Sequence, residues 1–405
     1  MGKIIAILAS TVLILSGLAV PASAAEEGDK CFTQDTFIGK DIGGRLVYLS
    51  CGPDNFLHTS TDAPAIDQET GKPVSGPWGS SILSTEYKEP PLVTEKPKTT
   101  LTSKSKPISS CKILDAGKRG WVSANPQRHF VAGFTPYPER AVLKNHPVIQ
   151  FIPVDFSDVR GAHNPEIDYK VITTFLETFW ERMGSKQLDV EIRIPSSYIH
   201  LPKKVSEYDL GSDFFATGMP PTGVFDYARA AITESDASID FSGVDIIAVV
   251  PASEVTPEQV RSFTAEAAEP GHGFSTAEKT IHNVLISSAL TGGTPYELLN
   301  WAHETGHMFG LTDARNMPNN APQDVTPLGV FDLMNSMIAP EILGWQRFIL
   351  GTISDKQVNC IAPGTSKVWL SPIEQRDTGV KLAVIPTGRF TSIAVEARRS
   401  YGYDT

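Results

Sequence analysis

The sequence predicts an α/β to α+β domain with a mixed sheet, set behind a small N-terminal unit. Three observations carry that expectation. After Cys111, nearly continuous apolar runs alternate with amphipathic segments, the pattern of strands and helices packed in layers. Before it, residues 89–110 read "EPPLVTEKPKTTLTSKSKPISS", an extended and solvated composition that separates two units. The 405 residues, 41% hydrophobic and 20% charged, are enough for about two folded domains.

The chain opens with Lys3, the apolar run "IIAILASTVLILSGLAV" and the small residues of "PASA". This reads as a secretory signal over 1–24, cut after Ala24, with a retained membrane anchor as the alternative. The mature product is then expected to be secreted, and no later run is long and apolar enough for a span. Residues 25–88 form a small unit of unassigned role with one strand-like piece, "GRLVYLSC". Residues 89–110 are the expected flexible linker and 111–362 the main domain. In that domain "PVIQFIPVDFSD" (147–158) suits a buried strand. "YKVITTFLETFWERMG" (169–184) suits a helix with Val171, Phe175, Phe179 and Met183 on its buried face. "LDVEIRI" (188–194) alternates as a half-exposed strand, and "VDIIAVVP" (244–251) is another buried one. "TIHNVLISSA" (280–289) is a further strand, expected at the edge of the sheet. Residues 363–405 are expected as a β-rich segment, in which "TSIAVEARR" runs close to "YGYDT" without a following partner, as in a truncated domain.

A net charge of -11 without clustered Lys or Arg argues against nucleic acid and against anionic membrane surfaces. Four cysteines in an exported chain favour two disulfides, with three pairings open. Cys31–Cys51 would staple the small unit, and Cys111–Cys360 would tie the two ends of the main domain; these are the favoured pairs. No Gly-x-Ser-x-Gly elbow, phosphate-cradling loop or dinucleotide fingerprint occurs.

The chemistry is concentrated in "NWAHETGHMFGLTD" (300–313). Thr294 and Glu297 in "TPYE" mark a capping box, with Pro295 at the first helical position, so a helix is predicted from Pro295 to about Phe309. Leu298, Ala302 and Phe309 form its core stripe. His303 and His307 lie one turn apart on the neighbouring face. Two imidazoles at that spacing can share one Zn2+, and Glu304 beside them can take a proton from an activated water. Gly310 stops the helix where a positive φ suits glycine, and "GLTD" can swing Asp313 back as a third ligand. Glu341 in "APEILGW" is the rival third ligand; Asp313 is preferred because Gly310 has no purpose in the rival scheme.

"HETGHMFGLTD" resembles the extended zinc motif of the metzincin clan, in the version with aspartate as last ligand. "FDLMNSM" resembles the methionine turn of that clan. "LGW" (343–345), the "VDFSD" strand end and "IDFSGVDIIAVV" resemble the secreted immune inhibitor A-like metallopeptidases of bacteria. The resemblance spans roughly 147–345. It implies a metzincin-like zincin domain in which His303, His307 and Asp313 bind zinc. Glu304 would be the general base and Met334 a structural floor. No tyrosine follows Met334 closely, although some metzincins place one there.

The expected function is a secreted zinc endopeptidase acting on proteins or peptides, with "TIHNVLISS" as the edge strand that pairs with extended substrate. The alternative is a non-catalytic secreted binding or adhesion protein retaining a zinc-stapled fold; a zinc hydrolase of non-peptide amides would share the same site chemistry. Calcium at the acidic "ESDASID" (234–240) is unsupported, because the run lacks the ligand-and-glycine rhythm of a known loop. His58, His129, His146, His163, His200 and His272 are expected at the surface. His282 reads as packed or exposed, with a substrate contact as its functional alternative.

Overall fold

The computed structural model describes residues 26, 28–31, 37–40, 46–51, 56–59, 87–91, 104–115, 132–136, 140–141, 146–184, 188–211, 223–256, 258–260, 264–267, 273–314, 332–335, 341–399 and 401–403. The expected signal over 1–24 lies outside them. Among the described residues no helix is long and apolar enough to cross a membrane. The chain divides after Ser81 into two units, against an expected boundary at 88/89.

In the smaller unit β1 (Phe37–Lys40), β2 (Leu46–Cys51) and β3 (Leu57–Thr59) form an antiparallel meander. Cys31, Leu49 and Leu57 make its small core. Cys31 is disulfide-bonded; the side chain of Cys51 lies outside the described residues.

The larger unit is built on three strands, spanning Val148–Asp155, Ile246–Pro251 and Asn283–Ile286, that are buried on both faces. β4 (Val148–Asp155), β5 (Glu191–Arg193), β6 (Ile199–His200), β7 (Ile246–Pro251), β8 (Thr264–Ala267) and β11 (Asn283–Ile286) form its central sheet. The order is β5-β4-β7-β11-β8, with β6 beside the far end of β4. Every pairing is parallel except that of β8 with β11. β9 (Phe274–Ser275) and β10 (Thr280–Ile281) make a separate two-stranded ladder. Successive side chains alternate between two cores: Ile149, Phe151, Ile246, Ala248, Val250 and Leu285 enter one. Val148, Ile152, Val154, Ile247, Val249, Val284 and Ile286 enter the other. That double burial is why these strands read as continuous apolar runs.

Helices cover both faces. α1 (Pro165–Asp168) leads into α2 (Lys170–Met183); α2 packs on the first core and α3 (Val224–Ser235) on the second. α2 buries Ile172, Phe175, Leu176, Phe179, Trp180 and Met183, but Val171 is 53% exposed, contrary to the expected stripe. At about 100° per residue, an i+4 row drifts roughly 120° between 171 and 183, which carries Val171 out of the apolar face. The expected strand over 280–289 is split at His282. β11 is paired on both sides and lies inside the sheet, so the described edge beside it is β8.

The ends of the expected linker lie on the larger unit. Lys88 bridges Gly402, the Lys106 N–H donates to the Cys360 carbonyl (2.8 Å), and Ala362 N–H donates to the Lys104 carbonyl (2.8 Å). Residues 92–103 lie outside the described set. The last strands, β12 (Val358–Cys360), β13 (Leu382–Gly388) and β14 (Thr391–Glu396), form one sheet that crosses the expected boundary at 362/363. Its core holds the Cys111–Cys360 disulfide with Phe348, Leu382 and Val384. Tyr403 is buried against Phe175 and Phe179, with ring centroids 6.3 and 5.0 Å away.

Candidate metal centre

The helix that carries the histidines, α4 (Pro295–Met308), begins as its sequence dictates. Thr294 is the N-cap and its Oγ1 accepts the Glu297 N–H at 3.3 Å, with Pro295 at the first position. The other half of the expected box differs. Glu297 Oε2 accepts the N–H groups of Gly292 (2.8 Å) and Gly293 (3.2 Å), tying the preceding loop to the helix start. Leu298, Ala302 and Phe309 are buried, and Trp301 stacks on Phe151 of β4 with centroids 5.3 Å apart. α4 is thereby fixed against the central sheet.

Its end is equally determined. Phe309 is the C-cap; Gly310 N–H donates to the His307 carbonyl (2.8 Å) and Leu311 N–H to the Gly306 carbonyl (3.0 Å). These are the two bonds of a Schellman ending. Gly310 has φ +94°, in the left-handed region that disfavours a Cβ. The reversal returns the chain toward the helix and brings Asp313 to the histidines.

His303 Nε2 lies 3.2 Å and His307 Nε2 3.8 Å from Asp313 Oδ1, and one donor atom from each of the three falls within 4.8 Å of the others. Both imidazoles are nearly buried, while the Asp313 side chain is 21% exposed. Each ring is oriented from behind: His303 Nδ1 is 2.8 Å from the Leu333 carbonyl and His307 Nδ1 2.8 Å from the Leu311 carbonyl. A carbonyl only accepts, so each Nδ1 carries a proton and, in the neutral ring, each Nε2 presents its lone pair. Two lone pairs and a carboxylate thus converge, an arrangement that calls for a positive charge. Burial works against a proton on His303, yet the hydrogen bond and charge of Asp313, aided by nearby Glu304, push its pKa up to about 9. Ligands at zinc distances in a tetrahedral site lie roughly 3.3 Å apart, close to the 3.2 Å between His303 and Asp313. The group could hold a metal ion.

Glu304 follows His303 on α4 and is half-buried. Met334 is fully buried, and a Cβ added to Gly306, just before His307, would come within 2.7 Å of its Sδ. Glu341 does not join the group. It is 1% exposed, ion-paired with Arg347 of α5 (Gly344–Leu350), and accepts the Tyr403 N–H at 3.0 Å. Among the described residues, the group that could hold a metal ion thus includes Asp313 and not Glu341. His282 is half-buried between β10 and β11 and is not part of the cluster. His58, His146, His163 and His200 are exposed; His129 and His272 lie outside the described residues. In the acidic run, Asp236 accepts the Ala277 N–H (3.0 Å) and Asp240 the Ser242 N–H (2.8 Å), so both secure turns.

Sequence reasoning missed the backbone acceptors at Leu311 and Leu333, and the buried Asp332 beside the latter. It also passed over Gly306. A glycine inside a helix, between two histidines, was a readable sign of a close approach. No protein-family model and no curated protein matches this chain.

Proposed function

We propose that this chain is a secreted zinc-dependent endopeptidase, of the metzincin kind that its helix motif resembles, with Glu304 as general base. The observation that carries the reading is the convergence of His303, His307 and Asp313, each imidazole held in the tautomer that binds a cation. Structural zinc sites are normally closed by four protein ligands. Among the described residues no fourth His, Cys, Asp or Glu joins this group, which suits a site open to water and substrate.

The chemistry such an ion supplies is Lewis acidity, which makes water nucleophilic near neutral pH and polarises a carbonyl. Glu304 takes the proton of the attacking water and delivers it to the leaving amine nitrogen as the C–N bond breaks. Leu333 and Leu311 hold the two rings at fixed angles, so the ligand geometry needs no rearrangement during turnover. β8 lies against α4 and carries the antiparallel edge of the sheet. Among the described residues no strand pairs with its outer side, so an extended peptide can add there through backbone hydrogen bonds.

Metal analysis beside hydrolysis of a generic unfolded protein tests the proposal. The native chain should carry zinc and cleave. Glu304→Ala should retain zinc while hydrolysis falls about 10²- to 10⁴-fold. Cleavage by that variant at the native rate would remove Glu304 from the mechanism. A native chain that binds zinc and cleaves nothing would instead support a binding or adhesion protein. Sequencing the exported product from its first residue, expected to be Ala25, tests the secretory signal.

A further inference from the structure

Residues 332–335 touch the metal group at His303 and its immediate neighbours at two further places. The Leu333 carbonyl accepts from His303 Nδ1 (2.8 Å), and the Met334 carbonyl accepts the N–H of Ala314 (2.8 Å), next to Asp313. The Met334 thioether packs on Gly306, between the two histidines. A shift of this turn would therefore move ligands on both sides of the group.

A carboxylate holds the turn. Asp332 is fully buried; its Oδ1 accepts the Met334 N–H (3.3 Å) and its Oδ2 accepts from Gln346 Nε2 (2.8 Å). Its own carbonyl accepts the Asn335 N–H (2.9 Å). Gln346 is a buried residue of α5, anchored in turn because its Oε1 accepts the Leu343 N–H (3.2 Å). Burying a carboxylate is unfavourable unless it is hydrogen-bonded, and an apolar residue of similar size would fill the space at lower cost. What an apolar residue would not do is hold the Met334 N–H, whose peptide plane sets the direction of the Leu333 carbonyl.

We propose that Asp332 and Gln346 form a positioning pair that sets the metal affinity of the His303, His307 and Asp313 group by fixing the turn behind it. The inference rests on the metal-binding reading of that group but not on peptide hydrolysis. Asp332 acts through backbone carbonyls and touches no reacting atom.

The test is a zinc titration of the full chain against a competing chelator at about pH 8, with Co2+ absorption spectra to report ligand geometry. In Asp332→Asn, whichever way the amide turns, one N–H donor faces another donor. Zinc affinity should fall about 10- to 100-fold and the Co2+ spectrum should change. The reversed pair Asp332→Asn with Gln346→Glu restores an acceptor opposite the new amide, and should recover affinity to within about threefold of the native chain. A loss of stability alone is read separately, by melting the metal-free proteins, and would not be rescued in affinity by the reversed pair. If Asp332→Asn fails to fold, Gln346→Met removes one bond of the same pair and should weaken zinc binding several-fold. The proposal is overturned if a folded single variant keeps the native zinc affinity and Co2+ spectrum, or if the reversed pair binds no better than Asp332→Asn. A native chain that binds neither ion overturns the metal-centre reading and this inference together. One that binds zinc but hydrolyses nothing removes only the peptidase reading.

Discussion

At the scale of single residues, Glu341 and Asp313 show how burial and partners separate a preferred third ligand from its rival. Glu341 faces the Arg347 guanidinium inside the core, whereas Asp313 faces two imidazole lone pairs. Asp313→Ala, His303→Ala and His307→Ala should each weaken or abolish zinc binding. Glu341→Ala should leave zinc affinity intact and strand a buried Arg347, costing about 3–5 kcal/mol of stability. Chelator competition and chemical denaturation separate these outcomes. Asp332 adds a pH dependence. Burial pushes its pKa up to about 7, against the hydrogen bonds from Met334 and Gln346 and the Arg398 charge that favour its anion. A carboxyl whose folded pKa lies above its unfolded value contributes most stability when protonated, and that contribution is lost as pH rises toward the folded value. The metal-free protein should therefore lose stability from this group between about pH 4 and pH 7, and Asp332→Asn should flatten that part of the melting profile. The histidines were legible because their spacing is a side-chain signal. The carbonyls behind them were not, since every residue owns a carbonyl and only the tertiary fold decides which one is aimed.

At the scale of elements, α4 was readable at both ends because caps are local chemistry. Thr294, Pro295 and Gly310 each answer a backbone requirement within one turn. Gly310→Ala forces a Cβ into the left-handed region and to 3.1 Å from Arg140 Cγ, so it should cost about 1–2 kcal/mol. Because the same turn returns Asp313, zinc affinity should fall with it; thermal melting with and without zinc measures both. The strands were less legible. Their apolar runs announced burial on two faces, but strand order is set by crossovers between distant segments. The run over 280–289 therefore gave no sign that β11 is interior and that β8, with the short and mixed sequence "TAEA", is an edge. Val171 was misplaced for a geometric reason, the drift of an i+4 row around a 3.6-residue helix.

At the scale of the whole molecule, the larger unit was visible as a domain of mixed α/β content, while the devices that close it were not. Composition read 89–110 as solvated, yet its last residues are held by backbone pairing with 360–362 and by the Cys111–Cys360 disulfide. That bond spans 249 residues, and the chain-entropy model assigns such a closure roughly 5 kcal/mol. Replacing both cysteines by serine should lower the melting temperature in non-reducing buffer and make the native and substituted proteins alike under reduction. The pairing was one of three open to four cysteines, and composition alone could not choose among them.

Tyr403 sits among Tyr87, Phe175 and Phe179, far along the chain from the helix α2 that it covers. Because chains are made from the N-terminus, α2 emerges from the ribosome long before the ring that covers it. The larger unit can complete its packing only after translation has passed residue 403. Under the proposed secretory reading, that order would leave α2 partly uncovered while export, which threads an unfolded chain, begins.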